Sequence, residues 1–183
     1  MSDNYTEVVV LCEDRQQWGF IYRVLTRNGV NRHRIRLRTQ PSGKGSGKQF
    51  VQDEYAREVV EHRKRASRMN IGLIVMHDCD TETVEGSRNR LEESATRSPG
   101  DRIALFFPRR NIETWIHFFN GEEVDESTVY RKFEHESDCH KAADHLAAKD
   151  EYTISPNVPS SLIAACPEIR RIFPQKRCVG AVG

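Results

Sequence analysis

The sequence predicts a doubly wound, Rossmann-like α/β fold with a mainly parallel sheet of about four strands. Three short apolar runs predict buried strands, because a strand covered on both faces has no reason to alternate polar and apolar residues. These runs are Glu7–Cys12, Ile71–Met76 and Ile103–Phe107. Helical patterns separate them, as right-handed crossovers require. We therefore expect the strands to end at one edge of the sheet, where ligands bind in such folds.

A fourth strand is predicted over Arg32–Thr39, where polar and apolar residues alternate. Ile35 and Leu37 share one side of this strand. The other side carries three arginines, which are Arg34, Arg36 and Arg38. Such a row is typical either of a sheet edge protected by charge or of a surface that faces phosphate. The sequence leaves both interpretations open.

Helices are predicted between the strands and after them. One begins at Asp14 and stops at Asn28-Gly29, and the others run from about Lys48 to Arg68, where Glu58 is expected on the exposed face, and from Val84 to Thr96. We divide the chain into an α/β catalytic domain, residues 1–120, and a helical extension packed on it, residues 121–183. Pro156, Pro159 and Pro167 are expected to split the extension into short helices. The segment Glu134–His145, with His135 and Cys139, is either an exposed helix or a zinc site.

Composition limits the class of protein. With 183 residues, 37% of them apolar, the chain can form one ordinary domain. It has neither a secretory signal nor an apolar run long enough to span a membrane, so we expect a cytoplasmic protein without a membrane partner. The five cysteines are scattered without a C-x-x-C pair, and we expect them to be reduced thiols.

The net charge of +1 hides a strong asymmetry along the chain. Residues 15–70 carry 14 basic and 4 acidic groups, whereas residues 71–150 carry 10 basic and 17 acidic groups. A face that binds a polyanion beside a cluster of metal-binding carboxylates would produce this pattern. Solvated helix faces would produce it too.

Carboxylates follow the ends of three predicted strands. Glu13 follows Glu7–Cys12, Asp78 and Asp80 follow Ile71–Met76, and Glu113 follows Ile103–Phe107. At one sheet edge they would repel one another unless a cation bound them, and Mg²⁺ or Mn²⁺ prefers such oxygen ligands. Asp14 has an alternative role as a helix N-cap, and Glu113 one as a favourable charge at a helix N-terminus.

Basic residues near these strand ends could contact phosphate. The loop 41–48 does not match a nucleotide-binding P-loop, because Ser42 replaces the first glycine and Gln49 follows the lysine. Its glycines could still bring Lys44 or Lys48 to a phosphate. Arg109 and Arg110 follow the last strand, and each could bind phosphate oxygens with two hydrogen bonds.

The order of these motifs resembles the TOPRIM fold of topoisomerases, bacterial primases and overcoming-lysogenization-defect (OLD) nucleases. A glutamate follows the first strand, and Asp78-Cys-Asp80-Thr-Glu82 matches the extended Asp-x-Asp-x-Glu form. Pro108–Trp115, with Glu113, is similar to stand-alone TOPRIM proteins related to the OLD nucleases. The resemblance covers roughly residues 6–120 and rests on the order and strand context of short motifs.

The resemblance implies a nuclease that hydrolyses phosphodiester bonds in DNA or RNA with Mg²⁺ or Mn²⁺, plausibly in phage defence. Its implied metal ligands are Glu13, Asp78 and Asp80, with Glu82 and Glu113 as further ligands, and Lys48 is the implied phosphate-contacting lysine. No ATPase domain precedes the fold, so a separate ATPase or defence-complex subunit is an expected partner. The sequence leaves open whether the protein forms a homo-oligomer. Unlike topoisomerases, the sequence has no tyrosine placed as a nucleophile, and unlike primases it has no recognisable zinc-binding module.

Two other functions are compatible with the same residues. One is a non-catalytic TOPRIM-like module that binds nucleic acid or a protein through its basic face. The other is a different phosphotransfer enzyme, such as a phosphatase or a receiver-like domain, since aspartates at strand ends serve there as well.

Overall fold

A computed structural model describes residues 4–148, 151–152 and 157–178 of the chain. The strands are β1 (Glu7–Cys12), β2 (Ile35–Arg38), β3 (Ile71–Met76), β4 (Ile103–Phe106), β5 (Glu151–Tyr152) and β6 (Arg177–Cys178). The α-helices are α1 (Arg15–Arg27), α2 (Gly47–Ala66), α3 (Val84–Glu92), α4 (Ile112–Phe119), α5 (His140–Ala148) and α6 (Ser160–Ile172). Short 3₁₀ helices, Arg32–Arg34 and Glu136–Cys139, precede β2 and α5.

The main sheet has four parallel strands in the order β2-β1-β3-β4. This confirms the prediction of an α/β fold with a parallel sheet of four strands. The chain leaves β1 toward β2 on one side and leaves β3 toward β4 on the other. The strand order therefore reverses between β1 and β3, and a crevice outside the carboxyl ends of such a pair is the usual ligand site of an open α/β sheet.

Apolar side chains cover both faces of the sheet, as its continuous apolar strands predict. Successive residues of β3, such as Leu73 and Ile74, belong to different cores, because their side chains point to opposite faces of the sheet. On one face Ile74 packs in a core that contains Phe20 of α1 and Trp115 of α4. On the other face Leu73 packs in a core with side chains of α2 and α3. The two cores fix α1, α2 and α4, whose first turns lie at the end of the sheet where the predicted acidic site is located.

The residues after 120 add to the first core. Apolar side chains of α5 and α6 share this core, among them Leu146, Leu162 and Ile172. The prediction of several short helices after Pro156 is wrong, because Pro167 lies inside the single helix α6. The buried side chains on both sides of Pro167 hold the helix together although proline removes one helical hydrogen bond. Residues 149–150, 153–156 and 179–183 of the predicted extension lie outside the described residues.

Four further sequence predictions need correction. The strand predicted over Arg32–Thr39 is shorter, because its first three residues form a 3₁₀ helix in which His33 N–H donates to Asn31 Oδ1. Helix α3 ends at Glu92 rather than at Thr96. Glu58 is buried rather than exposed, because its side chain faces β2 and pairs with Arg38 at 3.2 Å. The segment predicted as an exposed helix forms a 3₁₀ helix and α5, whose inner face is buried in the first core.

The cysteines also differ from the prediction in one case. Cys12, Cys79 and Cys139 are free and buried, whereas Cys166 is disulfide-bonded. The expectation of five reduced thiols is therefore wrong for Cys166. Across the described ranges, every helix is too short or too polar to cross a lipid bilayer.

Candidate functional site

Glu13 and Asp78 meet where the strand order reverses. The Asp78 N–H donates a hydrogen bond to Glu13 Oε1 at 2.8 Å, and the Glu13 N–H donates to Gln17 Oε1 at 2.9 Å. His77 Nδ1 lies 2.7 Å from the same Glu13 oxygen, although the atoms are not aligned for a hydrogen bond. These contacts fix the Glu13 carboxylate between the ends of β1 and β3.

Asp78 is a buried carboxylate with an unsatisfied oxygen. Only 8% of the residue is exposed, and its Oδ1 has no hydrogen-bond partner among the described residues. Burial raises the pKa of Asp78, and the negative charges of Glu13, Asp14 and Glu113 raise it further, while Gln17 partly offsets the rise. Four carboxylates from the ends of β1, β3 and β4 therefore lie near one another.

Glu113 is the most deeply buried of these four acids. It lies in the first turn of α4, is 0% exposed, and neither of its carboxylate oxygens has a described partner. Burial raises the pKa of Glu113, and the charge of Asp14 adds to the rise. Asn111, which precedes α4, does not cap it with its side chain and instead donates to the Tyr130 carbonyl at 2.8 Å.

Asp14 connects this acidic group to a lysine from the later part of the chain. As predicted, Asp14 caps α1, with its Oδ1 accepting from the N–H groups of Gln16 and Gln17 at 3.0 Å. Its Oδ2 lies 2.6 Å from Lys132 Nζ. Burial alone would lower the pKa of Lys132, but Asp14, Glu113 and Asp78 together raise it. Lys132 is therefore a positive charge of the protein itself beside the acidic group.

Asp80 lies further out and is paired with Lys48. The Lys48 ammonium, in the first turn of α2, is 2.6 Å from Asp80 Oδ2, and 58% of the Asp80 side chain is exposed. Asp80 has a φ of 53° and forms an isolated antiparallel bridge with Arg110, whose φ is 65°. Left-handed backbone is uncommon in non-glycine residues and concentrates at functional sites, and here both partners of one bridge adopt it.

The remaining predicted metal ligand, Glu82, is not brought to this group. It accepts a hydrogen bond from Ser87 Oγ at 3.1 Å and pairs with Arg90, so its contacts are made to α3. An Asp-x-Asp-x-Glu spacing alone could not show this, because the left-handed turn at Asp80 redirects the chain that follows it.

The predicted phosphate-binding residues fall into three groups. Five of them bind protein groups: Arg34 binds the Tyr5 carbonyl, Arg36 the Glu7 carboxylate, Arg38 the Glu58 carboxylate, Lys48 the Asp80 carboxylate and Arg110 the Ser127 carbonyl. Lys44 is exposed in the loop before α2. The buried Nε of Arg109 has no described partner. Lys48 thus lies at the acidic site through its pair with Asp80, whereas Arg36 and Arg38 of β2 pair with Glu7 and Glu58 on the face that α2 covers.

The sequence interpretation missed Gln17 and Lys132. Gln17 could have been found from its spacing, since it lies four residues after Glu13 in the first turn of the predicted helix. Lys132 carries no comparable signal, because it belongs to an irregular acidic stretch and reaches Asp14 across 118 positions. His77, which directly follows β3, also lies beside Glu13.

The donor set fits a divalent cation by its chemistry. Asp78 and Glu113 provide three buried carboxylate oxygens without described partners. Burial raises the pKa values of both acids, and neighbouring carboxylates add to the rise. A hard cation resolves such an arrangement by accepting these oxygens as ligands. As the side chains stand, no group of three His, Cys, Asp or Glu residues in the described ranges is close enough to form a preassembled metal site.

The fold and the site define an α/β protein of the Rossmann-like class, with a buried acidic group at the reversal of its strand order. Comparisons with protein families, with curated proteins and with solved structures return no match for the chain.

Proposed function

We propose that the protein is a TOPRIM-type nuclease that uses Mg²⁺ or Mn²⁺ to hydrolyse phosphodiester bonds in DNA or RNA. The observation that supports this most strongly is the pair of buried acids, Asp78 and Glu113, whose oxygens lack partners at the reversal between β1 and β3. Structural carboxylates this deeply buried are normally paired, so unpaired ones point to a ligand that is positively charged.

Asp78, Glu113 and the second oxygen of Glu13 would hold the cation. When bound, a divalent cation supplies a water of lowered pKa and neutralises charge on a phosphate oxygen. The hydrogen bond from the Asp78 N–H and the close approach of His77 restrict the Glu13 side chain, so its carboxylate is oriented before any ligand arrives. Asp80 would act as a further ligand on release from Lys48, because more than half of its side chain is exposed and its partner is a single flexible lysine.

Lys48 would then be the residue that approaches a substrate phosphate. It is in the first turn of α2, where helical N–H groups and the helix dipole also favour an anion. Lys44 lies in the preceding loop, in which Gly43 and Gly45 adopt left-handed backbone at φ 76° and 110°. Together these residues form a positive entrance beside a negative site, which is what a metal-dependent phosphodiesterase requires.

The wider biological role follows only from the resemblance to OLD-related TOPRIM proteins. We propose a part in defence against phage, in the cytoplasm, with a separate ATPase or another subunit of a defence complex as partner.

One observation favours a second function, a non-catalytic module that binds nucleic acid or a protein. The two ion pairs Lys48–Asp80 and Lys132–Asp14, each 2.6 Å long, neutralise part of the acidic site without a metal. A scaffold that had lost catalysis could keep its acids in this way.

Incubation of the purified protein with supercoiled plasmid, single-stranded DNA and RNA separates the two functions. Each substrate is tested with Mg²⁺, Mn²⁺ or EDTA, using the wild type, Asp78→Asn and the control Glu123→Gln, which changes an exposed acid outside the site. A nuclease cleaves at least one substrate with metal only, and Asp78→Asn abolishes the cleavage while Glu123→Gln does not. Salt-sensitive binding without cleavage by any of the three proteins supports the binding module.

A further inference from the structure

A partly exposed stripe of three side chains runs along α1 from the end that carries the acidic site, and its two aromatic residues also pack against the first core. Arg15, Trp18 and Tyr22 are spaced by three and four residues, so they share one face of the helix. Arg15 is exposed and both aromatic residues are half-buried, whereas the inward face of α1 is fully buried. We call these three residues the α1 stripe.

The aromatic residues of the α1 stripe differ from those of the core. Trp115 is 1% exposed and its Nε1 donates to Ser161 Oγ at 2.8 Å, as expected for a buried indole. In the described part of the chain, neither Trp18 Nε1 nor the Tyr22 hydroxyl has a hydrogen-bond partner. The two rings lie 5.0 Å apart at 43° and leave part of their surface accessible. A planar ligand, such as a nucleic-acid base that is not base-paired, could therefore stack on them.

The charge beside these rings indicates the kind of ligand. Arg15 has no ion-pair partner among the described residues and lies next to the N-cap Asp14, which the Lys132 ammonium neutralises. The exposed Lys44 lies in the loop after Thr39, whose hydroxyl donates to the Glu13 carbonyl at 3.3 Å. Arg15 therefore provides a positive charge at the end of the α1 stripe nearest the acidic site, and Trp18 lies about one helical turn after Asp14. This combination binds single-stranded nucleic acid, since cations follow the phosphates and aromatic rings stack on exposed bases.

We propose that the α1 stripe binds unpaired bases of single-stranded DNA or RNA next to the acidic site. This inference rests on the proposed nuclease function and specifies its substrate class. A duplex keeps its bases stacked on one another, so it cannot offer them to Trp18 and Tyr22.

Tryptophan fluorescence tests the stripe without any cleavage. Because Trp115 is buried, a change in emission on ligand binding reports mainly on Trp18. The full chain is titrated in EDTA with oligodeoxythymidine, oligouridine and a blunt DNA duplex, and binding is measured in parallel by anisotropy of labelled oligonucleotides. The variants are Trp18→Leu, Trp18→Phe and Tyr22→Leu, and the control Met69→Ala changes an exposed apolar side chain after α2.

We expect single strands to quench Trp18 and the duplex to leave its emission unchanged. Trp18→Leu and Tyr22→Leu should each weaken single-strand binding about tenfold, which is within the range for loss of one base stack. Trp18→Phe should restore most of the binding, and Met69→Ala should not alter it. The two single-stranded ligands tell whether DNA or RNA is preferred.

The inference is overturned if single strands cause no quenching, or if Trp18→Leu and Tyr22→Leu bind them as the wild type does. Equal quenching by the duplex also overturns it. Failure of the nuclease function looks different. In that case single strands still quench the wild type and bind the leucine variants more weakly, but no substrate is cleaved with Mg²⁺ or Mn²⁺. If both leucine variants cleave and bind as the wild type does, the proposal for the α1 stripe is wrong but the proposed nuclease function stands.

Discussion

The Asp78 N–H donates to Glu13 Oε1 at 2.8 Å and so joins the residues that follow β1 and β3. Glu13 Oε1 is occupied by this bond and by the close approach of His77 Nδ1. The second Glu13 oxygen is the one that would bind the proposed cation together with Asp78. The same N–H group stabilises the negative charge of Glu13 beside Asp78, because a charge-assisted hydrogen bond is stronger than a neutral one.

Replacing Glu113 by glutamine should stabilise the metal-free protein at neutral pH. The buried carboxylate has no partner, so its charge is unfavourable in the folded state, and a neutral amide removes that cost. We expect the free energy of unfolding to rise, because the amide is buried like the carboxylate but carries no charge, and burial of a charge is the larger cost. Urea denaturation in EDTA measures the change.

The stability gained by Glu113→Gln should depend on pH in a defined direction. Folding raises the pKa of Glu113 above its ordinary value of 4.5. Its contribution to stability is thus fully present below pH 4.5 and is lost as the pH rises through the raised pKa. The advantage of Glu113→Gln should accordingly grow with pH and vanish in acid. An advantage that is constant with pH contradicts this explanation.

Gly47→Ala should displace the start of α2 from the acidic site. A Cβ atom at Gly47 would overlap the Glu13 carbonyl oxygen, and backbone cannot move aside as a flexible side chain can. We expect a loss of roughly 1–3 kcal/mol in stability, typical of overpacking, together with weaker Mn²⁺ binding. Gly100→Ala is the control, because nothing lies within 4 Å of its Cβ position. Equal stability of the two variants would disprove the close contact.

Glu168→Ala should destabilise the fold strongly without involving the site. Glu168 Oε2 accepts from the Leu105 N–H at 2.9 Å and from Arg97 Nη1 at 2.5 Å, and both charged side chains are less than a tenth exposed. Its removal leaves the buried Leu105 N–H without its acceptor, and it leaves the buried Arg97 guanidinium with Glu92 and the Ile103 carbonyl as partners. Breaking such a buried pair costs about 3 kcal/mol. Thermal denaturation tests this, with Glu123→Ala as the control. A change below the experimental error would show that the pair contributes nothing.

Lys132→Met should tighten divalent-metal binding. Lys132 is a positive charge near Asp14, Glu113 and Asp78 and therefore opposes a second cation there. We expect the Kd for Mn²⁺ to fall roughly three- to tenfold, a modest effect because Lys132 is largely exposed. Lys141→Met, on the exposed face of α5, should leave the Kd unchanged. Weaker binding in Lys132→Met would instead make Lys132 a support of the site.

The sequence was sufficient for features that depend on local pattern. The continuous apolar runs predicted β1, β3 and β4, because buried parallel strands need no alternation. Strand ends share one edge in such a sheet, and this was enough to anticipate the meeting of Glu13 and Asp78. The N-cap role of Asp14 also followed from its position before an amphipathic segment.

Features that depend on distant contacts could not be predicted in this way. Glu58 is buried because α2 turns it toward Arg38 of β2, and no local pattern distinguishes it from the exposed glutamates around it. The left-handed turn at Asp80 and the resulting contacts of Glu82 depend on the bridge to Arg110. Lys132 reaches the site only because the chain after α4 folds back over it.

Calorimetric titration of Mn²⁺ into the purified full chain tests the central claim most directly. The wild type and Glu123→Gln should bind Mn²⁺ with the same affinity, and Asp78→Asn should bind it at least about tenfold more weakly, as expected for loss of a charged ligand. Cleavage measured on the same samples should follow the metal occupancy. Undiminished Mn²⁺ binding by Asp78→Asn, or cleavage that persists in this variant, would contradict a metal site at Asp78.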